Sequence, residues 1–230
     1  MSVWNVLLVV VISYLIGSIP FGYLVVYLLR KMDVREIESG RTGGTNVMRA
    51  VGFIPGLMTG VLDVLKGAST ALVVNWLVPG NVWVQVLAAL LAIIGHNYSI
   101  FLIRRDSSGK LEMHGGAGGA TSLGGAIALW PHAWWVIAPL SALVWFLIGH
   151  ASVATISITV FATLIFIIRA SLGLSSWVYV VYGIGALGIV LWALRPNLER
   201  LRQGNERVVG LRAMLQKRAE QKDSKSNSEK

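Results

Sequence analysis

The chain has 230 residues, 55% of them hydrophobic and only 13% charged, against about 25% charged in an ordinary soluble domain, so a water-soluble fold is disfavoured at the outset. The absence of cysteine excludes disulfides, thiolate metal sites and cysteine nucleophiles. The net charge is +9, and ten of the twenty Lys and Arg lie from Arg195 onward, which points to a basic tail and not to a nucleic-acid-binding domain.

The first apolar run, residues 4–29, has no basic residue before it and exceeds the length of a signal-peptide core, so it is expected to be retained as a span. Further apolar runs cover residues 55–77, 82–103, 121–130, 133–148, 152–168 and 177–194. They predict an all-α, polytopic membrane helix bundle of about seven transmembrane helices. The fourth run is too short to cross alone, because a bilayer core of about 30 Å needs about 20 helical residues. It is expected to be short or re-entrant. The organisation predicted is one membrane domain over residues 1–204 and a basic, partly disordered cytoplasmic tail over 205–230.

With alternating spans, residues 30–54, 104–114 and 149–151 share a face with the tail. That face holds Arg30, Lys31, Arg35, Arg41, Arg49, Arg104, Arg105 and Lys110, whereas the opposite loops hold only Arg169. The positive-inside bias therefore predicts a multi-pass protein of the cell (inner) membrane with its N-terminus outside and its C-terminal tail cytoplasmic. Trp76, Trp83, Trp134, Trp135 and Trp177 fall near predicted outer ends, where indole rings anchor at the headgroup zone.

Three segments on the basic face depart from what a packed membrane helix requires. The first, residues 38–49, interleaves Gly40, Gly43 and Gly44 with Ser39, Thr42, Thr45 and Asn46 and carries Arg41 and Arg49. Glycines let backbone N–H groups approach an anion, hydroxyls add donors, and a helix starting near Thr45 would favour a phosphate and place Arg49 one turn on. A flexible polar loop with a helix cap at Thr45 or Asn46 explains the same residues. The second, residues 114–122, contains Gly115, Gly116, Gly118 and Gly119. It suits a backbone nest for an oxyanion and equally a small-residue face packed against another helix. The third, residues 195–200, places arginines around Asn197, as the positive-inside bias alone would.

Asp63 and Lys66, three apart in the second run, share a helix face and can pair, either as a functional couple or as a neutralising pair that orients helices. His96 is expected mid-span or near the cytoplasmic end of the third run, more often a buried histidine than a catalytic one. No metal motif, P-loop or nucleophile elbow is present, so no metal or cofactor is expected.

At these residues the chain resembles the PlsY-type glycerol-3-phosphate acyltransferases of bacteria, which take their acyl group from acyl-phosphate. The resemblance runs from Tyr14 to Gly204 and rests on Gly17-Ser18-Ile19-Pro20-Phe21-Gly22, Asp33-Val34-Arg35, Ser39-Gly40, Gly44-Thr45-Asn46, Arg49, Leu62-Asp63-Val64-Leu65-Lys66-Gly67, Gly95-His96, and Gly115-Gly116 with Gly118, Ala120 and Thr121. It implies transfer of an acyl group from acyl-phosphate to glycerol-3-phosphate, giving lysophosphatidate and phosphate in phospholipid synthesis, in contact with membrane lipids. It implies catalytic roles for Ser39, Arg49 and Asn197. Gly40, Gly44, Thr45, Asn46, Gly115, Gly116, Gly118, Thr121 and Ser152 are implied to bind substrate or phosphate, with Asp63, Lys66 and His96 in support.

The chain departs from the family pattern at three motif positions and in the loop from Arg104 to His114, which is longer and more polar than expected. Ala117 stands where the second motif has a lysine, Leu194 where the third has a histidine, and Arg41 where a small polar residue is usual. A paralogue with altered catalysis that binds another phosphorylated acceptor, and a small anion or lipid transporter, are the alternative readings. Transport would require a path polar on both faces, but the outer loops at 78–81 and 131–132 carry almost no charge.

Overall fold

The computed structural model describes residues 2–105 and 109–213. The first apolar run forms α1 (Val3–Ser18) and α2 (Phe21–Arg30), which meet at Ile19 and Pro20. Pro20 has no N–H and cannot continue the helical ladder. Two carbonyls at the break are taken by side chains from elsewhere, Ser18 O by the Ser99 hydroxyl at 2.5 Å and Ile19 O by Lys66 Nζ at 2.8 Å.

The next helices are α3 (Gly44–Val51), α4 (Phe53–Ala68), α5 (Thr70–Leu77) and α6 (Val82–Asn97). A small antiparallel hairpin follows, β1 (Ile103–Arg105) with β2 (Leu111–Met113), in register Ile103 to Met113. The remaining elements are α7 (Gly119–Leu129), α8 (Trp134–Ile148), α9 (Ala151–Ser171), α10 (Val178–Ala193) and α11 (Arg195–Arg202).

Among the described residues, five helical stretches are long and apolar enough to cross a membrane: Val3–Arg30, Phe53–Leu77, Val82–Leu102, Pro131–Ile148 and Ala151–Ser171. The pair α10 and α11, bent by 66°, makes a sixth if taken as one span. The expected count of seven is reached only with α7, whose 11 residues rise about 16 Å, roughly half the hydrocarbon thickness. The structure thus supports five or six spans. The other differences are the hairpin, which adds two three-residue strands to an otherwise helical chain, and residues 205–213, which fold back onto the bundle. Val209 N donates to Gly149 O at 2.8 Å, and Val208 pairs with His150. The rest of the expected tail, residues 214–230, lies outside the described residues.

The short α7 is the centre of the bundle. Leu123, Ala126 and Leu129 pack with Ile93 of α6, Ile137 of α8, Phe166 of α9 and Tyr182 of α10 in the main core. Its approach to α4 is close on both sides. A Cβ at Gly67 would collide with the Thr121 carbonyl, and one at Gly124 with the Val64 carbonyl. Small residues permit such backbone contact, which supplies helix association where lipid removes the hydrophobic drive. On the outer surfaces, Trp76, Trp83, Trp135 and Trp177 are exposed at helix ends opposite the loops described next.

Candidate active site

The loops of the basic face converge at one end of the bundle. The first is shaped before α3. Asp33 and Arg35 form an ion pair at 2.7 Å, and Arg35 Nη1 donates to Leu102 O at 2.9 Å, tying this loop to the end of the α6 segment. The chain then turns through left-handed positions at Glu38 and Gly40, φ 53° and 67°. Asn46 gathers the turn from inside: its Nδ2 donates to the carbonyls of Val34, Ile37 and Arg41 at 3.1, 3.0 and 2.8 Å. Its Oδ1 accepts from Ser39 N at 3.4 Å. Helix α3 starts after Gly43, and Thr45 and Arg49, one turn apart, both face the cavity described below.

The second loop lies on the end of α6. Gly115 N and Gly116 N donate to Asn97 O and His96 O, each at 3.0 Å. A Cβ at Gly116 would overlap the His96 ring, so the chain passes there only as glycine. At Gly118 the backbone takes φ 92°, a left-handed turn that starts α7, again a conformation suited to glycine.

The two loops touch. Thr42 N donates to Gly115 O at 3.3 Å, and Arg41 reaches across the second loop to the third segment. Arg41 Nη1 donates to Gly116 O at 3.1 Å, Nε to Asn197 Oδ1 at 3.2 Å, and Nη2 to Ala193 O. Beneath them lies a buried cluster in which Asp63 Oδ1 stands 2.8 Å from Lys66 Nζ and 3.5 Å from His96 Nδ1. At the start of α9, the Glu206 carboxylate accepts from Ser152 Oγ at 2.6 Å and Ser152 N at 3.2 Å. Arg207 pairs with Glu38, so residues 205–209, which follow the third segment, strap the start of α9 to the first loop.

These parts enclose a cavity of about 820 Å³. Ser39, Gly44, Thr45, Asn46, Arg49, Asp63, His96, Gly118, Ser152 and Asn197 line it. Gly40, Gly115, Gly116, Lys66 and Thr121 stand behind the wall, Thr121 fully buried with no hydrogen-bond partner for its hydroxyl among the described residues. Among the described residues the structure also brings to the cavity five charged side chains that were not among the expected site residues: Glu38, Arg41, Arg200, Glu206 and Arg207. Arg41 carried a sequence signal, a cation inside the glycine-rich motif. Glu206 and Arg207 carried none, being two charges in a highly charged tail.

The polar end continues into an apolar one. Leu57, Val61 and Leu65 of α4, Leu123 and Ile127 of α7, Trp134, Ala138 and Trp145 of α8 and Ile158 of α9 line it. Burial lowers the Arg41 guanidinium from its ordinary range, and Arg200 nearby adds to the effect. Burial also lowers Arg49, partly offset by Glu206. Both remain cationic at neutral pH. Among the described residues no group of three His, Asp or Glu side chains is arranged to hold a metal ion. A cationic, donor-rich end joined to a hydrocarbon-lined one suits an anionic head attached to a long apolar chain.

Comparison with known proteins agrees over nearly the whole chain. A family model described as glycerol-3-phosphate acyltransferase matches residues 7–204. Glycerol-3-phosphate acyltransferase 2 of Moorella thermoacetica is 38% identical over 210 residues, covering 90% of this chain and 99% of that protein. A glycerol-3-phosphate acyltransferase of Thermus thermophilus is 36% identical over 219 residues, covering 92% and 97%. The crystal structure of PlsY (YgiH), an integral membrane glycerol 3-phosphate acyltransferase, in its glycerol 3-phosphate form aligns with a TM-score of 0.73 at 32% identity, over 91% of this chain and 98% of that one. Its lysophosphatidic acid form gives 0.69 at 30% identity, over 89% and 95%.

Proposed function

The chain is an integral membrane protein of the glycerol-3-phosphate acyltransferase family, and we propose that it transfers a fatty acyl group from acyl-phosphate to glycerol-3-phosphate, releasing lysophosphatidate and phosphate. The observation that carries the reading is the meeting of residues 39–49 with residues 115–119 around one cavity, basic at one end and apolar at the other. Two phosphorylated substrates need two sets of anion contacts, and one acyl chain needs a hydrocarbon wall. The relatives support the substrate: the PlsY structures are described as its glycerol 3-phosphate and lysophosphatidic acid forms.

In this reading Arg49, the Thr45 hydroxyl and the amides that open α3 and α7 hold phosphate oxygens, while the apolar stretch from Leu57 to Ile158 takes the chain. The glycerol hydroxyl attacks the acyl carbonyl, the bond from carbonyl carbon to phosphate oxygen breaks, and the hydroxyl proton leaves with the phosphate. Every atom is thereby placed without a covalent enzyme intermediate. Such catalysis works by orientation and by charge stabilisation at the departing phosphate. Ser39 and Asn197 have polar groups on the cavity wall for these contacts. Asn46 acts by fixing the loop, because its amide is already engaged by four backbone groups. The loops are assigned to the cytoplasmic side of the cell (inner) membrane, with the N-terminus outside, on the same charge asymmetry as before.

The test is phosphate release by purified protein in detergent supplied with acyl-phosphate and glycerol-3-phosphate. Turnover by the wild type and its loss in folded Arg49→Ala is the expected result. A well-folded wild type that releases no phosphate overturns the proposal and favours a paralogue with altered catalysis.

A further inference from the structure

Arg41 touches both of the other segments: through Gly116 it reaches the second loop, and through Ala193 and Asn197 the junction of α10 and α11. All three partners are neutral acceptors. A guanidinium has five N–H groups, so two remain unused. Among the described residues no carboxylate stands within ion-pair distance, and the charged side chain that most influences Arg41 is another cation, Arg200. A partly buried cation held beside a like charge and bonded only to carbonyls is costly. An anion arriving in the cavity would remove that cost.

The neighbours of Arg41 sharpen the assignment. Ala117 and Leu194 line the same wall and carry no polar group, so this part of the cavity draws its positive charge from Arg41 and from the exposed Arg200. We infer that Arg41 is a direct ligand of a substrate phosphate dianion, binding it with its two free N–H groups while the other three fix the guanidinium between the second loop and α11. This rests on the acyltransferase reading above. Either phosphorylated substrate could supply the dianion, and the kinetics below separate them.

The test combines kinetics with a binding probe that does not need turnover. Arg41→Gln is expected to raise KM for one of the two substrates by on the order of 100-fold, the effect of removing one partner of a desolvated charge pair, and to leave the other within about threefold. The affected substrate is the one whose phosphate Arg41 binds. Moving the cation to the neighbouring residue, in Arg41→Gln with Ala117→Lys, should return the raised KM to within about tenfold of wild type. In parallel, inorganic phosphate should raise the melting temperature of the wild type and of Arg41→Lys by clearly more than that of Arg41→Gln, in which only the contacts at Thr45 and Arg49 remain.

Unchanged KM for both substrates in Arg41→Gln overturns the inference, as does a loss that Ala117→Lys does not restore. If Arg41→Gln fails to fold, Arg41→Lys decides the matter, and absence of its phosphate-induced melting shift overturns the inference. An inactive wild type that still shows an Arg41-dependent phosphate shift refutes the acyltransferase reading alone. An active wild type matched by Arg41→Gln refutes this inference alone.

Discussion

Gly116 rests directly on the His96 ring, its N–H donating to the His96 carbonyl at 3.0 Å and its Cα leaving no room for a methyl group beside the imidazole. Gly116→Ala must therefore lift the second loop away from α6. Overpacking of this kind costs about 1–3 kcal/mol, and a shift of about 1 Å in positioning groups can cost on the order of 100-fold in rate. The expected outcome is a folded protein with phosphate release reduced on that scale. Wild-type turnover in Gly116→Ala would show that the loop position does not matter.

Asp63 is almost fully buried and faces both Lys66 and His96. Asp63→Asn leaves the Lys66 ammonium held by the Ile19 carbonyl without its counter-charge, and breaking a buried pair costs about 3–5 kcal/mol. Removing both charges, in Asp63→Leu with Lys66→Met, should destabilise less than Asp63→Asn alone. Thermal unfolding in detergent compares them, and equal or greater loss in the double variant would refute the pairing argument.

Asn46 is the internal brace of the first loop, and Asn46→Ala strands the Arg41 carbonyl and removes one of two donors from the carbonyls of Val34 and Ile37, which keep Ile37 N and Gly40 N. Each buried group left unsatisfied costs about 1–3 kcal/mol, reduced where water can enter. Amide hydrogen exchange should accelerate across residues 34–42, with KM for the phosphorylated substrates rising. Unchanged exchange there would mean that the loop holds its shape without the brace.

The Glu206 carboxylate serves α9 as a cap from a distant part of the chain, accepting from the amide and hydroxyl of Ser152. Glu206→Gln weakens a charge-assisted contact at a helix N-terminus, worth about 1–2 kcal/mol in a partly buried setting. In a double-mutant cycle, Ser152→Ala should cost little once Glu206→Gln is present. Full additivity of the two losses would show that the contact is not formed in solution.

The membrane segments were legible because hydropathy is a property of each run by itself. The α4 pair was legible too, since a spacing of three puts Asp63 and Lys66 on one face. What His96 adds to them was not, because it arrives from α6 through tertiary packing. The hairpin at Ile103–Arg105 and Leu111–Met113 escaped notice because three residues are too few to show strand alternation. Thr121 was assigned to phosphate by resemblance, yet its hydroxyl faces the interior of the packed bundle. Residues 205–209 read as solvated tail because they open a segment rich in charge. Their role is set by distant partners, Glu38, Gly149, His150 and Ser152, that no local pattern reveals.

That strap also fixes an order of events during biosynthesis. All the apolar helices precede it in the chain, so they can enter the bilayer while the first amides of α9 still lack their carboxylate and Arg207 has yet to meet Glu38. The pocket is finished only when residues 205–209 have left the ribosome and reached these partners. Until residues 205–209 are docked, the cavity lacks the part of its wall that Asn205, Glu206 and Arg207 supply.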